Sequence, residues 1–288
     1  MTRLLIASSE AGAGRSMIAA AIAYRMARAG KPVTLARLAG DASAEADAAA
    51  FAALEYMTAP EKPLAAGDVA SLSGDVVLET PAGSVKDLAA TLGARVIAVG
   101  APDSRPVEVA PDALAGSVLT RAAASEVTVV RARAGVLAVL AEDRALAAPS
   151  VADIAIALQA KWLAAGEATN SIGRIMIGTV SSDAASPYFG QRERTCVVTR
   201  FDKTDIQLAA LQTDIECLVI TGGGEPSPYL IDRIGSGRSD VAVLLAPGDT
   251  IESVRAIEPL FGASRFSGDA KLARVVALLD EAEFPLEF

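Results

Sequence analysis

The sequence has 288 residues, of which 52% are hydrophobic, with a formal net charge of −9 and no histidine. The length suits two domains of ordinary size, and the hydrophobic content excludes a disordered chain. The lack of histidine excludes His-based catalytic triads, His-ligated metals and a histidine general base. The acidic balance disfavours general nucleic-acid binding, because a negative surface repels phosphate backbones.

The two cysteines, Cys196 and Cys217, lie in apolar stretches without the spacing of a metal or redox motif. We interpret them as buried, reduced thiols, which favours a cytoplasmic protein. No hydrophobic run approaches the ~18–20 residues that cross a bilayer. We therefore expect no membrane partner.

The first half of the chain alternates short hydrophobic runs with helical patterns. The predicted strands cover residues 4–7, 33–38, 75–80, 95–100, 116–120 and 136–141, and the predicted helices cover 16–29, 44–57 and 84–92. This alternation predicts an α/β fold with a doubly wound, mostly parallel sheet over residues 1–148.

The pattern changes after Pro149. Ser150 is a favourable N-cap for a helix over 151–165, and we assign 149–173 to a connecting helix and linker. Residues 174–288 are expected to form a smaller α/β domain that ends in an amphipathic helix. Its predicted strands are 174–178, 195–199, 217–221 and 240–246, and its predicted helices are 183–189, 205–212, 227–233, 250–260 and 269–281.

Residues 9–16, between the first predicted strand and helix, have the layout of a phosphate-binding loop. Glycines permit a tight turn whose N–H groups face an anion, and the next helix directs its positive end to the same place. Ser16 stands where the hydroxyl of such a loop holds Mg²⁺, whereas Arg15 replaces the lysine of the motif. A guanidinium does not place a compact ammonium between two phosphates, so we expect binding to survive and turnover to suffer. The candidate nucleotide-binding residues are Gly12, Ala13, Gly14, Arg15 and Ser16; the alternative is a glycine-rich turn without a ligand.

With this loop, residues 3–100 resemble the dethiobiotin-synthetase-like branch of P-loop NTPases. The resemblance implies that two acidic residues complete the Mg²⁺ site of Ser16, and Asp47 and Glu79 stand at the matching positions, with Asp41 as a further candidate. The alternative for Asp47 is a solvated carboxylate on a helix face.

The chain also departs from that branch. A Lys-Pro pair is replaced by Arg37-Leu38, and an asparagine that reads adenine is replaced by Thr120. These changes disfavour a carboxylating synthetase. Residues 139–144 resemble a stretch in the N-terminal regions of some phosphotransacetylases, which carry this architecture without using it for acyl transfer.

Residues 174–262 resemble the DRTGG domain, named for its Asp-Arg-Thr-Gly-Gly signature. Lys203 follows an aspartate in the first turn of the pattern, and Thr221-Gly222-Gly223 forms the second. We predict that these four residues form a second anion site; the alternative is a tight turn that needs positive φ at glycine. The resemblance implies an accessory or regulatory module that contributes to dimer contacts.

Taken together, the sequence predicts a nucleotide-responsive regulatory or scaffold protein that forms a homodimer. Its ligand is expected to be ATP, with Mg²⁺, or another phosphorylated small molecule, and no residue is assigned a catalytic role. Two alternatives stay open: a Mg²⁺-dependent ATPase or ATP-dependent ligase, and a structural homodimer without a ligand.

Overall fold

A computed structural model describes residues 2–55, 57–178, 189, 194–237, 240–263 and 265–287. The chain divides into two compact units. The first contains Met1–Leu146 and Phe266–Phe288, and the second contains Ala147–Arg265.

The first unit is built on a six-stranded sheet. Its strands are β1 (Arg3–Ala7), β2 (Val33–Arg37), β3 (Asp75–Glu79), β4 (Arg95–Gly100), β5 (Leu114–Ala122) and β6 (Val136–Ala141). They lie in the order β2-β3-β1-β4-β5-β6, and all neighbours are parallel. Since parallel strands end at a common edge, the loops that follow β1, β2 and β3 meet there.

Helices connect these strands and supply much of the core. They are α1 (Arg15–Arg28), α2 (Ala44–Ala52), α3 (Ala66–Val69), α4 (Lys86–Leu92), α5 (Val127–Arg131) and α6 (Arg144–Ala147). The alanine-rich face of α1 packs on the sheet, where Ile18 and Ile22 are fully buried. Because these side chains are small, the helix lies close to the strands. The loop that precedes it is thereby held in place.

The second unit is built on a five-stranded sheet. Its strands are β7 (Lys161–Ala164), β8 (Arg174–Ile177), β9 (Thr195–Arg200), β10 (Cys217–Thr221) and β11 (Ala242–Leu245). They lie in the order β7-β11-β10-β9-β8, and only the pair β7–β11 is antiparallel. Its helices are α7 (Val151–Ala157), α8 (Thr204–Ala210), α9 (Pro228–Gly237) and α10 (Thr250–Ile257), followed by a 3₁₀ turn (Glu258–Leu260).

The predicted fold class is confirmed: a mostly parallel α/β sheet is followed by a second, smaller α/β unit. The helix predicted over 151–165 is wrong in its second half. It ends at Ala157, Gln159 adopts a positive φ of 48°, and Lys161–Ala164 then becomes the edge strand β7. The helix predicted over 183–189 lies almost wholly outside the described residues.

The last helix, α11 (Gly268–Glu281), belongs to the first unit rather than to the second domain in which the sequence analysis placed it. It packs on α1 and buries Leu272, Val275 and Leu279 in the same core as Ile18. An amphipathic pattern predicts that one face is buried, but it does not identify the core that buries it.

The two cysteines are buried free thiols, as expected, and face each other in register on β9 and β10. A hydrogen bond with Cys196, together with burial, raises the pKa of the Cys217 thiol.

In the part of the chain that the structure describes, no helix has the length and hydrophobicity needed to span a bilayer.

Candidate functional site

The loop between β1 and α1 forms an open row of backbone donors. Gly12 and Gly14 have positive φ values of 70° and 91°, and Gly14 is the N-cap of α1. No side chain caps this helix, and its first turn holds no acidic residue. Within the described residues, the N–H groups of 11–14 donate to no protein acceptor. Such a loop at a helix N-terminus has the chemistry of an anion site.

Side chains from neighbouring loops hold this loop in shape. Thr120, at the carboxyl end of β5, donates its Oγ1 to the carbonyl oxygen of Ala13 at 2.9 Å. Ser9 Oγ donates to the carbonyl oxygen of Arg105 at 2.7 Å. Thr120 replaces the asparagine that reads adenine in the dethiobiotin-synthetase-like branch. In this structure its side chain stabilises the loop instead.

Arg15 points into the protein rather than over the loop. The residue is 6% exposed, and its Nη1 donates to the carbonyl oxygen of Thr80 at 2.6 Å. Its Nε lies 3.8 Å from Oε1 of Glu79. Burial lowers the pKa of Arg15, against the opposing effect of the Glu79 carboxylate. Arg15, which replaces the lysine of the motif, thus contacts residues at the end of β3.

Glu79, the last residue of β3, is 1% exposed and contacts the loop directly. Ser16 Oγ donates to its Oε1 at 3.0 Å, whereas Oε2 has no hydrogen-bond partner among the described residues. Burial raises the pKa of Glu79 to about 7, although Arg37 and Arg15 act in the opposite direction. The carboxyl group is therefore close to half protonated near neutral pH.

Arg37, the last residue of β2, has a fully buried guanidinium that gathers the nearby carboxylates. Its Nη2 donates to Asp41 at 2.6 Å, and its Nε lies 3.3 Å from Oδ2 of Asp47 and 3.6 Å from Oε2 of Glu79. Burial alone lowers the pKa of Arg37, but Glu79 and Asp41 outweigh it and raise the pKa. We call Arg15, Arg37, Asp41, Asp47 and Glu79 the arginine–carboxylate cluster.

Asp47 lies in the first turn of α2 and is 8% exposed, so it does not occupy a solvated helix face. Its Oδ2 accepts a hydrogen bond from Ser43 Oγ at 2.6 Å and one from Arg37 at 3.3 Å. Ser43 and Arg37 were not among the predicted site residues. The sequence did contain a signal for Arg37: it lies near the end of a predicted strand, and Asp41 follows four residues later. Side chains of neighbouring loops meet at that end of a parallel sheet.

The residues assigned to Mg²⁺ by resemblance do not fit that ion in this structure. Asp41 and Asp47 face Arg37, and Glu79 faces both Arg37 and Arg15, so each carboxylate is already paired with a guanidinium. Among the described residues, no group of three or more Cys, Asp or Glu side chains is arranged to hold a metal. A dication placed here would face two positive charges at the carboxylate it needs.

The predicted second anion site lies at the carboxyl edge of the other sheet. Gly222 and Gly223 have positive φ values of 91° and 61°, and their N–H groups donate to the carbonyl oxygens of Gly248 and Ala246. Thr221 is buried, and its Oγ1 lies 2.8 Å from Oγ1 of Thr250. This geometry favours the tight-turn interpretation, because these two amides donate to carbonyl groups of the segment that follows β11.

Neighbouring residues also fill the space around the turn at 221–224. The ring of Phe201 packs so tightly on Gly224 that an added Cβ would come within 2.3 Å of it. The N-terminus of α10 is capped by Asp249, whose side chain accepts from the Glu252 N–H while Glu252 reciprocates. Lys203 lies exposed just before α8.

The model of the DRTGG domain family matches residues 153–260, so a DRTGG domain is present in the chain. The match begins in α7, upstream of the predicted start at 174, and ends before α11. It therefore lies within the second unit.

A solved structure is also similar to part of the chain: the CBS and DRTGG domains of the regulatory region of Clostridium perfringens pyrophosphatase, in complex with its activator diadenosine tetraphosphate. The two share 17% sequence identity, with a TM-score of 0.37. The similarity covers 49% of this chain and 63% of that one.

Proposed function

We propose that this protein is a nucleotide-responsive regulatory or scaffold protein that binds phosphate groups at the loop 9–16 and has no efficient turnover. The first unit supplies the ligand site, and the DRTGG domain acts as the accessory module. The observation that carries the proposal is the inward direction of Arg15, next to a row of open loop amides.

The open amides supply what a phosphate group needs. Two glycines have positive φ, the N–H groups of 11–14 donate to no protein acceptor among the described residues, and α1 adds its positive end. No carboxylate of the first turn competes for those donors. The carboxylate of Glu79 is held by Ser16 and two guanidinium groups.

The same geometry favours binding without turnover over the ATPase or ligase alternative. Phosphoryl transfer depends on positive charge placed on the migrating phosphoryl group. Here the guanidinium of Arg15 is buried and donates to the carbonyl oxygen of Thr80, so it is already engaged within the protein. Bound nucleotide would therefore act as a signal rather than as a substrate.

A charge placed at Gly12 tests the loop. Nothing lies within 4 Å of an added Cβ there, and both Asp and Asn tolerate its φ of 70°. In a titration with ATP and ADP followed by calorimetry, we expect Gly12→Asp to weaken binding by about tenfold or more, because its carboxylate repels phosphate.

The matched control is Gly12→Asn, which has nearly the same shape without the charge. We expect its affinity to stay within about threefold of the parent, since the strain at this backbone position is similar in both variants. Equal affinities for the two variants, or no binding by the parent protein to any nucleotide, would exclude the loop as the ligand site.

We also propose that the protein functions as a homodimer. The second unit exposes large apolar side chains, among them Tyr229 at 76% and Ile251 at 62%. Light scattering after size exclusion should give twice the 29.3 kDa mass of the chain. A monomeric mass across the accessible concentration range would contradict this part of the proposal.

A further inference from the structure

The arginine–carboxylate cluster has a consequence for the form of the ligand. In this cluster both aspartates are engaged: Asp41 accepts two hydrogen bonds from Arg37, and Asp47 accepts from Arg37 and Ser43. Glu79 completes the cluster, with one guanidinium near each of its oxygens, at 3.8 and 3.6 Å.

The loop hydroxyl is also committed. Ser16 donates its proton to Oε1 of Glu79. Glu79 itself is held by the two arginines at the sheet edge, and both of these are buried residues that cannot swing into solvent without breaking the contacts to Thr80, Asp41 and Asp47. Positive charge is thus built into the protein at the place where the resemblance would put a metal ion.

On the basis of the proposed function, we infer that the loop binds its phosphorylated ligand as the metal-free anion. The ligand class is a nucleoside di- or triphosphate whose phosphate chain carries no Mg²⁺. Chelation removes two negative charges from that chain and brings a dication towards Arg15 and Arg37, so the complexed form is the weaker ligand.

The test is calorimetric titration of the full chain with ADP and with ATP, once in excess EDTA and once in excess magnesium chloride. We expect the dissociation constant in EDTA to be lower by about threefold to tenfold, as for loss of a charge-assisted contact. Binding that occurs only with magnesium, or is tighter with it, overturns this inference and leaves the proposed function standing. Absence of binding in both buffers overturns the proposed function.

Glu79→Gln separates a cluster effect from a metal ligand. If Glu79 ligated magnesium, this variant would lose affinity in magnesium and not in EDTA. We expect instead that the ratio of the two dissociation constants stays within about twofold of the parent ratio, because the carboxylate meets no metal. A ratio that changes by more than this, with magnesium binding selectively lost, contradicts the inference.

Discussion

Replacing Arg37 by methionine should reduce the free energy of unfolding by about 3–5 kcal/mol, because it leaves buried carboxylates without their partner. The guanidinium is fully buried and contacts Asp41, Asp47 and Glu79. Methionine fills a similar volume, so the loss reports the charge rather than a cavity. Urea unfolding followed by circular dichroism measures the change.

Arg200→Met is the matched control. Arg200 also forms an ion pair, with Asp202 at 2.9 Å, but its side chain is 59% exposed. We expect a change of at most about 1 kcal/mol, as is typical of surface pairs. Similar effects for the two variants would show that the cluster contributes no more than a solvated pair.

The second large expected effect is a dependence of the free energy of unfolding on pH, through the titration of Glu79. The pKa of Glu79 is raised from 4.5 to about 7 by burial. Between these values the folded protein holds a proton at this site that the unfolded chain has released. The stability from this group is therefore complete below about pH 4.5 and is lost as the pH rises through about 7, by about 3 kcal/mol in total.

Glu79→Gln removes this titration, because an amide stays neutral at every pH. Between pH 5 and pH 8 the parent protein should lose about 2–3 kcal/mol of unfolding free energy through this group, and the variant should not. The stability of the variant relative to the parent should therefore rise by that amount over this pH range. Urea unfolding at the two pH values gives the difference directly. Glu45→Gln, at an exposed position of the neighbouring helix α2, should change stability by less than about 0.5 kcal/mol at both. A Glu79→Gln variant that is equally destabilised at both pH values would mean that the carboxylate is ionised throughout.

The strands of both sheets were predictable because parallel strands buried on both faces are short, continuous hydrophobic runs. Arg95–Gly100 and Cys217–Thr221 have the predicted bounds. The edge strand β7 was not predictable: Lys161–Ala164 has two exposed residues, and its strand conformation depends on pairing with β11. An edge strand of this kind is determined by its partner more than by its own pattern.

The candidate site divides in the same way. Ser16 and Glu79 were placed together by the resemblance to the dethiobiotin-synthetase-like branch, and they lie 3.0 Å apart at the edge where the strands of a parallel sheet end. The direction of Arg15 could not be read from the sequence, because it depends on the carbonyl oxygen of Thr80, 65 residues away. Loop composition gives the charge at a position but not the side of the loop on which it lies.

The return of the chain to its first unit has a consequence for biosynthesis. Residues 147–265 form the second unit, and α11 then adds Leu272, Val275 and Leu279 to the core of the first. A ribosome completes the DRTGG unit before it delivers the last helix that the earlier unit needs. Cotranslational folding should therefore finish in the reverse of the chain order, with the second unit native while the nascent first unit still exposes the surface of α1 that awaits α11.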